Sequence, residues 1–390
     1  MASAPFDRTP AADDPEGTAA LGFDPEALTE LVRRARRDVD DGFVPSCQIA
    51  LAREGRVAFT CTLGDADPDS RYAIFSATKP MIAGAMWILI GDGLDVTRPV
   101  TDFVPGFGTN GKDVVTVEQV MLHTSGFPHA PFSPLDWDDP DRRAARFAKW
   151  RLNWEPGTRF EYHPTSAHWV LAAIIESVTG TDFRAFVRGQ LIDPLGLEGY
   201  ELGVAPDRHD TVNELVATGE PATPEELQAA LGISELPLTE VTQEALLMFN
   251  RPEVRAVGVP GGGGVSHAVD LALYYQAILH NPLGTWRDDV LADVTTRVRN
   301  TYPDYVGVAA NRTRGLVVAG DDGRANVRGM GRTVSPRAFG HNGAGGQIAW
   351  ADPDTGVSFV YLTNGLDQHR LREWRRTSAL ASRAGVCVSG

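Results

Sequence analysis

Lysine is nearly missing from this chain: of its 36 basic residues, only Lys79, Lys112 and Lys149 are lysines. Arginine fills almost every place that needs only a positive charge. A guanidinium keeps its proton in a protein, whereas an amine loses it when desolvated or set beside another cation. A lysine kept at a particular place is therefore a candidate for proton chemistry. Cysteine is equally scarce. Cys47, Cys61 and Cys387 are odd in number and lack zinc-pair spacing, so they read as reduced thiols, although the first two could face each other across a hairpin. Nor do the nine histidines join Cys or Asp in a ligand cluster; His163 and His168, five apart, do not share one helical face. No metal and no cofactor is expected.

A basic excess is also lacking. The net charge of −15 argues against a nucleic-acid or membrane partner, since both need a basic face. The longest apolar run, Met81 to Ile90 between Pro80 and Gly91-Asp92-Gly93, is too short to span a bilayer and reads as a buried helix. The first residues have neither a charged n-region nor an apolar h-region, so the expected location is cytoplasmic and residues 1–21 read as a disordered leader. With 43% hydrophobic and 22% charged residues, the composition is that of a soluble globular enzyme with a substantial core.

What is present begins with a helix opened by Phe23-Asp24-Pro25-Glu26 and carrying Leu28, Leu31, Val32 and Ala35 on one side. Two β-rich runs, Cys47–Arg53 and Arg56–Leu63, are split by Glu54-Gly55 as a hairpin. Helical stretches follow at Thr165–Thr179, Phe183–Leu191, Pro224–Leu231 and Ala268–Leu279 among Pro- and Gly-rich loops. Strand character returns in Gln347–Ala351 and Val357–Thr363 around the turn Asp352-Pro353-Asp354-Thr355-Gly356, before a last helix from about Asp367 to Ala384. The expected architecture is α+β: an antiparallel sheet flanked by helices, with an inserted all-α subdomain and a cleft between them. Residues 22–390 would form one catalytic domain, its α/β part about 22–78 and 286–390 and its mainly helical part about 79–285.

Three constellations carry chemistry. Ser76 and Lys79 form Ser-x-x-Lys where an extended segment enters the Met81–Ile90 helix. One helical turn lets the amine reach Ser76 Oγ, and the helix N-terminus favours developing negative charge. Pro80 is tolerated only in the first turn, which starts the helix at or just after Ser76. The spacing alone is weak, arising by chance in about one chain in nine of this composition. The second is Phe160-Glu161-Tyr162-His163-Pro164, whose tyrosine could relay protons beside a Ser–Lys pair. The third is Phe339-Gly340-His341-Asn342-Gly343-Ala344-Gly345-Gly346, a Gly-rich strand start that lets backbone approach a substrate.

In this order and at these distances, Ser-x-x-Lys, Tyr-x-x and His-x-Gly resemble the serine β-lactamase and penicillin-binding-protein superfamily, with a closer likeness to class C β-lactamases and their esterase and D-aminopeptidase relatives. The likeness spans about residues 23–384. It implies that Ser76 is the acylated nucleophile, Lys79 its proton acceptor, and Tyr162 the acid and base that serves the leaving group and then the attacking water. It further implies that His341 and Gly343 line the substrate strand, with the N–H groups of Ser76 and Ala344 forming an oxyanion hole. His123 and Ser125 match a family signature and read as structural. Two positions depart from the pattern. Pro164 stands where an Asn usually offers an amide, which leaves His163 or Ser166 as substitutes, and His341 stands where β-lactamases usually carry Lys. Both changes weaken recognition of an anionic, amide-bearing substrate and favour neutral esters or lactones. The expected partner is thus a small-molecule ester or amide. β-Lactamase, D-amino-acid peptidase or amidase, biosynthetic acyltransferase and non-catalytic covalent binder stay open as alternatives, and oligomeric state is not readable.

Overall fold

The computed structural model describes residues 5–10, 15–236 and 241–388. Its first long helix, α1 (Pro25–Asp40), starts where Asp24 accepts a hydrogen bond from the Glu26 amide, with Pro25 in the first turn. Strands β1 (Ser46–Arg53) and β2 (Arg56–Gly64) are joined at Glu54 and Gly55, both at positive φ, as a hairpin twisted like its strands requires. At the other end of the chain, β3 (Val317–Val318), β4 (Phe339–Gly340), β5 (Ile348–Asp352) and β6 (Val357–Thr363) complete one antiparallel sheet in the order β2-β1-β6-β5-β4-β3. β1 pairs with β6 from Cys47 opposite Thr363 to Arg53 opposite Val357, so the two ends of the chain close on each other.

Alternation along β1 sends Cys47, Ile49 and Leu51 into a core shared with α1 and with Leu380 and Ala381 of the C-terminal helix, α5 (Arg370–Ala384). Ala50 and Ala52 face the opposite side, the period of two expected of a strand buried on both faces. There the helix α4 (Ala268–His280) packs on β1 and β6, and its Gln276 Nε2 donates to the Ala52 and Gly356 carbonyls at 3.0 and 3.1 Å. The helix α2 (Lys79–Gly91) is apolar all round and buried, and α3 (Ser166–Thr179) packs against it.

Four expectations need correction. The leader is anchored where it is described. Phe6 is buried, the Asp7 amide donates to Gly55 O at 3.1 Å, and Arg8 Nη1 reaches Asp270 at 2.6 Å. One aromatic and one arginine suffice to dock a segment whose composition reads as disordered. The division at residue 285 also moves, because α4 lies on the sheet while Asp288–Thr296 packs on α2; a helix pattern names its apolar face but not its partner. The inserted part is not purely helical. Gly264–Ser266 pairs with both Tyr72–Ala73 and Glu201–Leu202, and Val216–Thr218 runs parallel to Gly365–Asp367. The stretch read as a helix over 183–191 is α-helical over Phe183–Val187, then widens into a π-turn over Arg188–Ile192. Pro194 follows, and it cannot donate to the carbonyl four residues back.

Candidate active site

Tyr72–Ala73 holds the chain beside Gly264–Ser266 up to Ile74, whose amide donates to Gly264 O at 3.0 Å. The next residue, Phe75, takes a positive φ of 45°, a costly conformation for an aromatic residue that persists only when its surroundings fix it. Its ring supplies the fixing: it is buried with Ala73, Leu215, Leu246 and Leu366 and meets Phe249 edge-on at 5.4 Å. A 3₁₀ turn over Phe75–Thr78 then feeds α2, so Ser76 and Lys79 stand on one face at the helix entrance.

Lys79 Nζ lies 3.0 Å from Ser76 Oγ, 2.8 Å from the Pro164 carbonyl and 2.6 Å from the Gly261 carbonyl. Burial first, and the nearby Arg312 guanidinium second, hold the amine well below the ordinary lysine range; no carboxylate among the described residues counters them. A neutral amine has two N–H bonds and one lone pair. The two carbonyls take N–H groups, so an unprotonated Lys79 would have its lone pair free for the Ser76 hydroxyl proton. Tyr162 Oη donates to Ser76 Oγ from the other side at 2.9 Å. Burial pushes the phenol up to about 12, against the opposing pull of Arg312 and of the Ser76 bond. Both shifts favour the uncharged forms, of the Lys79 amine and of the Tyr162 phenol.

The position of Pro164 acquires a use here. Its carbonyl, not a side-chain amide, grips Lys79. Neither substitute considered for the absent Asn faces the lysine: His163 Nε2 contacts Ser125 Oγ at 3.0 Å, and Ser166 Oγ donates to the Phe127 carbonyl at 3.0 Å. Gly261 is required by close approach, since a Cβ there would stand 2.9 Å from the Pro164 oxygen. Histidines form the wall behind. His123 lies 4.9 Å from the Tyr162 ring, and His163 Nδ1 contacts the Glu161 carbonyl at 2.6 Å. Burial drives His163 down to about 3 and holds His123 and His168 well below the usual histidine range, so the wall is uncharged and adds to the desolvation of Lys79. No group of three His, Cys, Asp or Glu residues among the described ones could hold a metal ion, and no helix among them is long and apolar enough to cross a membrane.

His341 lies on the cleft side of this cluster, its ring 6.0 Å from that of Tyr162. Burial first, and the Arg312 guanidinium second, hold it well below the usual range. Arg312 Nη1 sits 3.2 Å from His341 Nε2, and His341 Nδ1 lies 2.9 Å from the Asn342 carbonyl, the pattern of a neutral ring protonated on Nδ1. Gly343 abuts the segment that leads to Ser76: a Cβ there would stand 2.2 Å from the Ile74 carbonyl oxygen. Ala344 packs against the cluster that holds Phe75. Gly343→Ala is therefore expected to push the two segments apart, lowering stability by about 1–3 kcal/mol; thermal melting checks this, and a variant as stable as wild type would refute the close approach. Arg312 is the residue of this cluster that the sequence does not reveal. It is one of many arginines and stands in no motif.

The beta-lactamase family model matches residues 31–382 of this chain. The chain belongs to the beta-lactamase family. Within it, the chain is 29% identical over 321 residues to the esterase/beta-lactamase LipL of Mycobacterium tuberculosis, covering 76% of this chain and 70% of that one. Among solved structures, a penicillin-binding protein homolog from Caulobacter crescentus superposes with a TM-score of 0.74 at 26% identity, covering 94% of this chain and 99% of the other. A family VIII carboxylesterase superposes with a TM-score of 0.72 at 24% identity over 93% and 99% of the two chains, and so shares the fold. This beta-lactamase-family chain thus has the α+β, transpeptidase-like fold and belongs to a hydrolase superfamily that includes an esterase/beta-lactamase.

Proposed function

We propose that this chain is a carboxylesterase that works through an acyl-enzyme on Ser76, with small esters or lactones as substrates. The observation that carries the proposal is the Lys79–Ser76–Tyr162 triangle, with Ser76 Oγ 3.0 Å from a buried amine and 2.9 Å from a phenol oxygen that donates to it. As Ser76 Oγ bonds to the acyl carbon, its proton passes to Lys79, whose three N–H bonds then meet Ser76, Pro164 and Gly261. The amides of Ser76 and Ala344 would hold the oxyanion. When the acyl carbon–oxygen bond breaks, Tyr162 gives its proton to the leaving alkoxide. The phenolate formed is stabilised by the Lys79 ammonium and by Arg312, whose guanidinium carbon is 5.1 Å from the ring centre. In deacylation the same phenolate takes a proton from water, and the hydroxide oxygen bonds to the acyl carbon as Ser76 departs with the proton from Lys79.

Esters are favoured over amides because no side-chain amide stands at Pro164 to grip an acylamino group, and His163 and Ser166 are turned away. The relatives named esterase and carboxylesterase support the same reading. The test is active-site labelling with a fluorophosphonate, read by mass spectrometry on the Ser76 peptide. Adduct on wild type and none on Ser76→Ala is expected, together with turnover of p-nitrophenyl esters above that of nitrocefin and D-aminoacyl anilides. A folded wild type left unlabelled would overturn it.

A further inference from the structure

Arg312 carries a charge that no ion pair among the described residues neutralises. It closes a hairpin in which its amide donates to the Asn300 carbonyl at 3.0 Å and Arg299 N donates to its own carbonyl at 2.8 Å, so its backbone is fixed. Arg312 is half-buried; of the buried arginines, Arg71 and Arg376 face Glu201 and Asp367, and Arg255 spends its donors on the Phe249 carbonyl and Asn250 Oδ1. Arg312 has no carboxylate within ion-pair distance among the described residues. Asp304, on the same hairpin, acts on it only from a distance, and its Oδ1 already accepts from the Val306 and Val308 amides, each at 2.9 Å. The guanidinium lies over Phe160 and Tyr162, 5.4 and 5.1 Å from the ring centres. Nη1 is used on His341. Nε is buried without a partner, whereas Nη2 is not buried and makes no hydrogen bond to any described residue. An unpaired guanidinium edge of this kind suits an oxyanion.

Resting on the proposed acyl-enzyme chemistry, we infer that Arg312 is a substrate-binding residue and that the ester cleaved at Ser76 carries a carboxylate or comparable monoanion. The expectation of a neutral substrate followed from His341 taking the place of a lysine. The tertiary structure returns a positive charge to that neighbourhood from a different hairpin, through the hydrogen bond between Arg312 and His341. In a chain of net charge −15, this local cation would decide whether an anionic substrate is accepted.

The anion could sit on the acyl or on the alcohol side, and two isosteric pairs separate these. The acyl pair is p-nitrophenyl hemiglutarate against p-nitrophenyl 4-carbamoylbutanoate. The alcohol pair is 3-carboxyphenyl against 3-carbamoylphenyl butyrate. Wild type is expected to favour the anion in at least one pair by about 10-fold or more in kcat/KM. Arg312→Gln should bring that ratio to about one, with Arg312→Lys between. Using a ratio within each protein cancels any effect of the substitution on Tyr162 or on folding. Should the esters be poor substrates, the same comparison is read from the Kd values of 3-carboxyphenylboronic and phenylboronic acids. A wild-type preference near one, or a preference that survives Arg312→Gln, overturns the inference. Loss of Ser76 labelling instead counts against the serine-hydrolase reading.

Discussion

Lys79→Met is expected to lower kcat/KM for esters by about a thousandfold or more while the far-UV circular dichroism stays that of wild type. Methionine keeps an apolar stem of similar length inside α2 but offers no lone pair to the Ser76 hydroxyl, 3.0 Å from the amine it replaces. Two effects on stability oppose each other: the Pro164 and Gly261 carbonyls lose their donor, costing about 1–3 kcal/mol each if no water replaces it, while a desolvated amine is removed. The same lysine sets the pH profile. Its folded value lies well below 10.5 because of burial and Arg312, and the base must be unprotonated to act. The rate is therefore expected to be lost as pH falls through that lowered value and to hold on the alkaline side until Tyr162 ionises at about 12. A rate that instead rises as the pH falls below neutrality would exclude Lys79 as the base.

Tyr162→Phe is expected to reduce kcat by about a hundredfold to a thousandfold with a smaller change in KM. The ring packs against His123 at 4.9 Å and lies under Arg312, and phenylalanine preserves both contacts. What goes is the single hydroxyl 2.9 Å from Ser76 Oγ. A p-nitrophenolate leaves without a proton, so acylation by p-nitrophenyl esters should suffer less than deacylation, and acylated Ser76 should accumulate. Stopped-flow release of p-nitrophenol and intact-protein mass spectrometry would show a burst followed by a slow phase. A variant that turns over at the wild-type rate without accumulating acyl-enzyme would remove Tyr162 from proton transfer.

Much of the frame is legible in the residues. The hairpin around Glu54-Gly55 follows from its turn and the alternation of its strands, and the observed strands Ser46–Arg53 and Arg56–Gly64 differ from the expected ones by one residue at an end. Pro80 rightly places the helix start just after Ser76, at Lys79. The spacing of Ser76 and Lys79 and the identity of Tyr162 suffice to nominate a site. Less legible were the docking of Phe6 and Arg8 and the placement of α4 on the sheet, because each depends on what a distant segment offers as a partner.

By itself, then, the sequence nominated the groups proposed to do chemistry: a rare lysine one turn from a serine, a tyrosine before a helix and a glycine-lined strand start. Only the tertiary structure decided their state. Whether Lys79 is charged depends on burial and on Arg312, which stands 233 positions away in number. Its grip comes from two backbone carbonyls, which no side-chain pattern encodes. Desolvation and electrostatic coupling are properties of what surrounds a group in space, so they become fixed only when segments far apart in the chain are brought together.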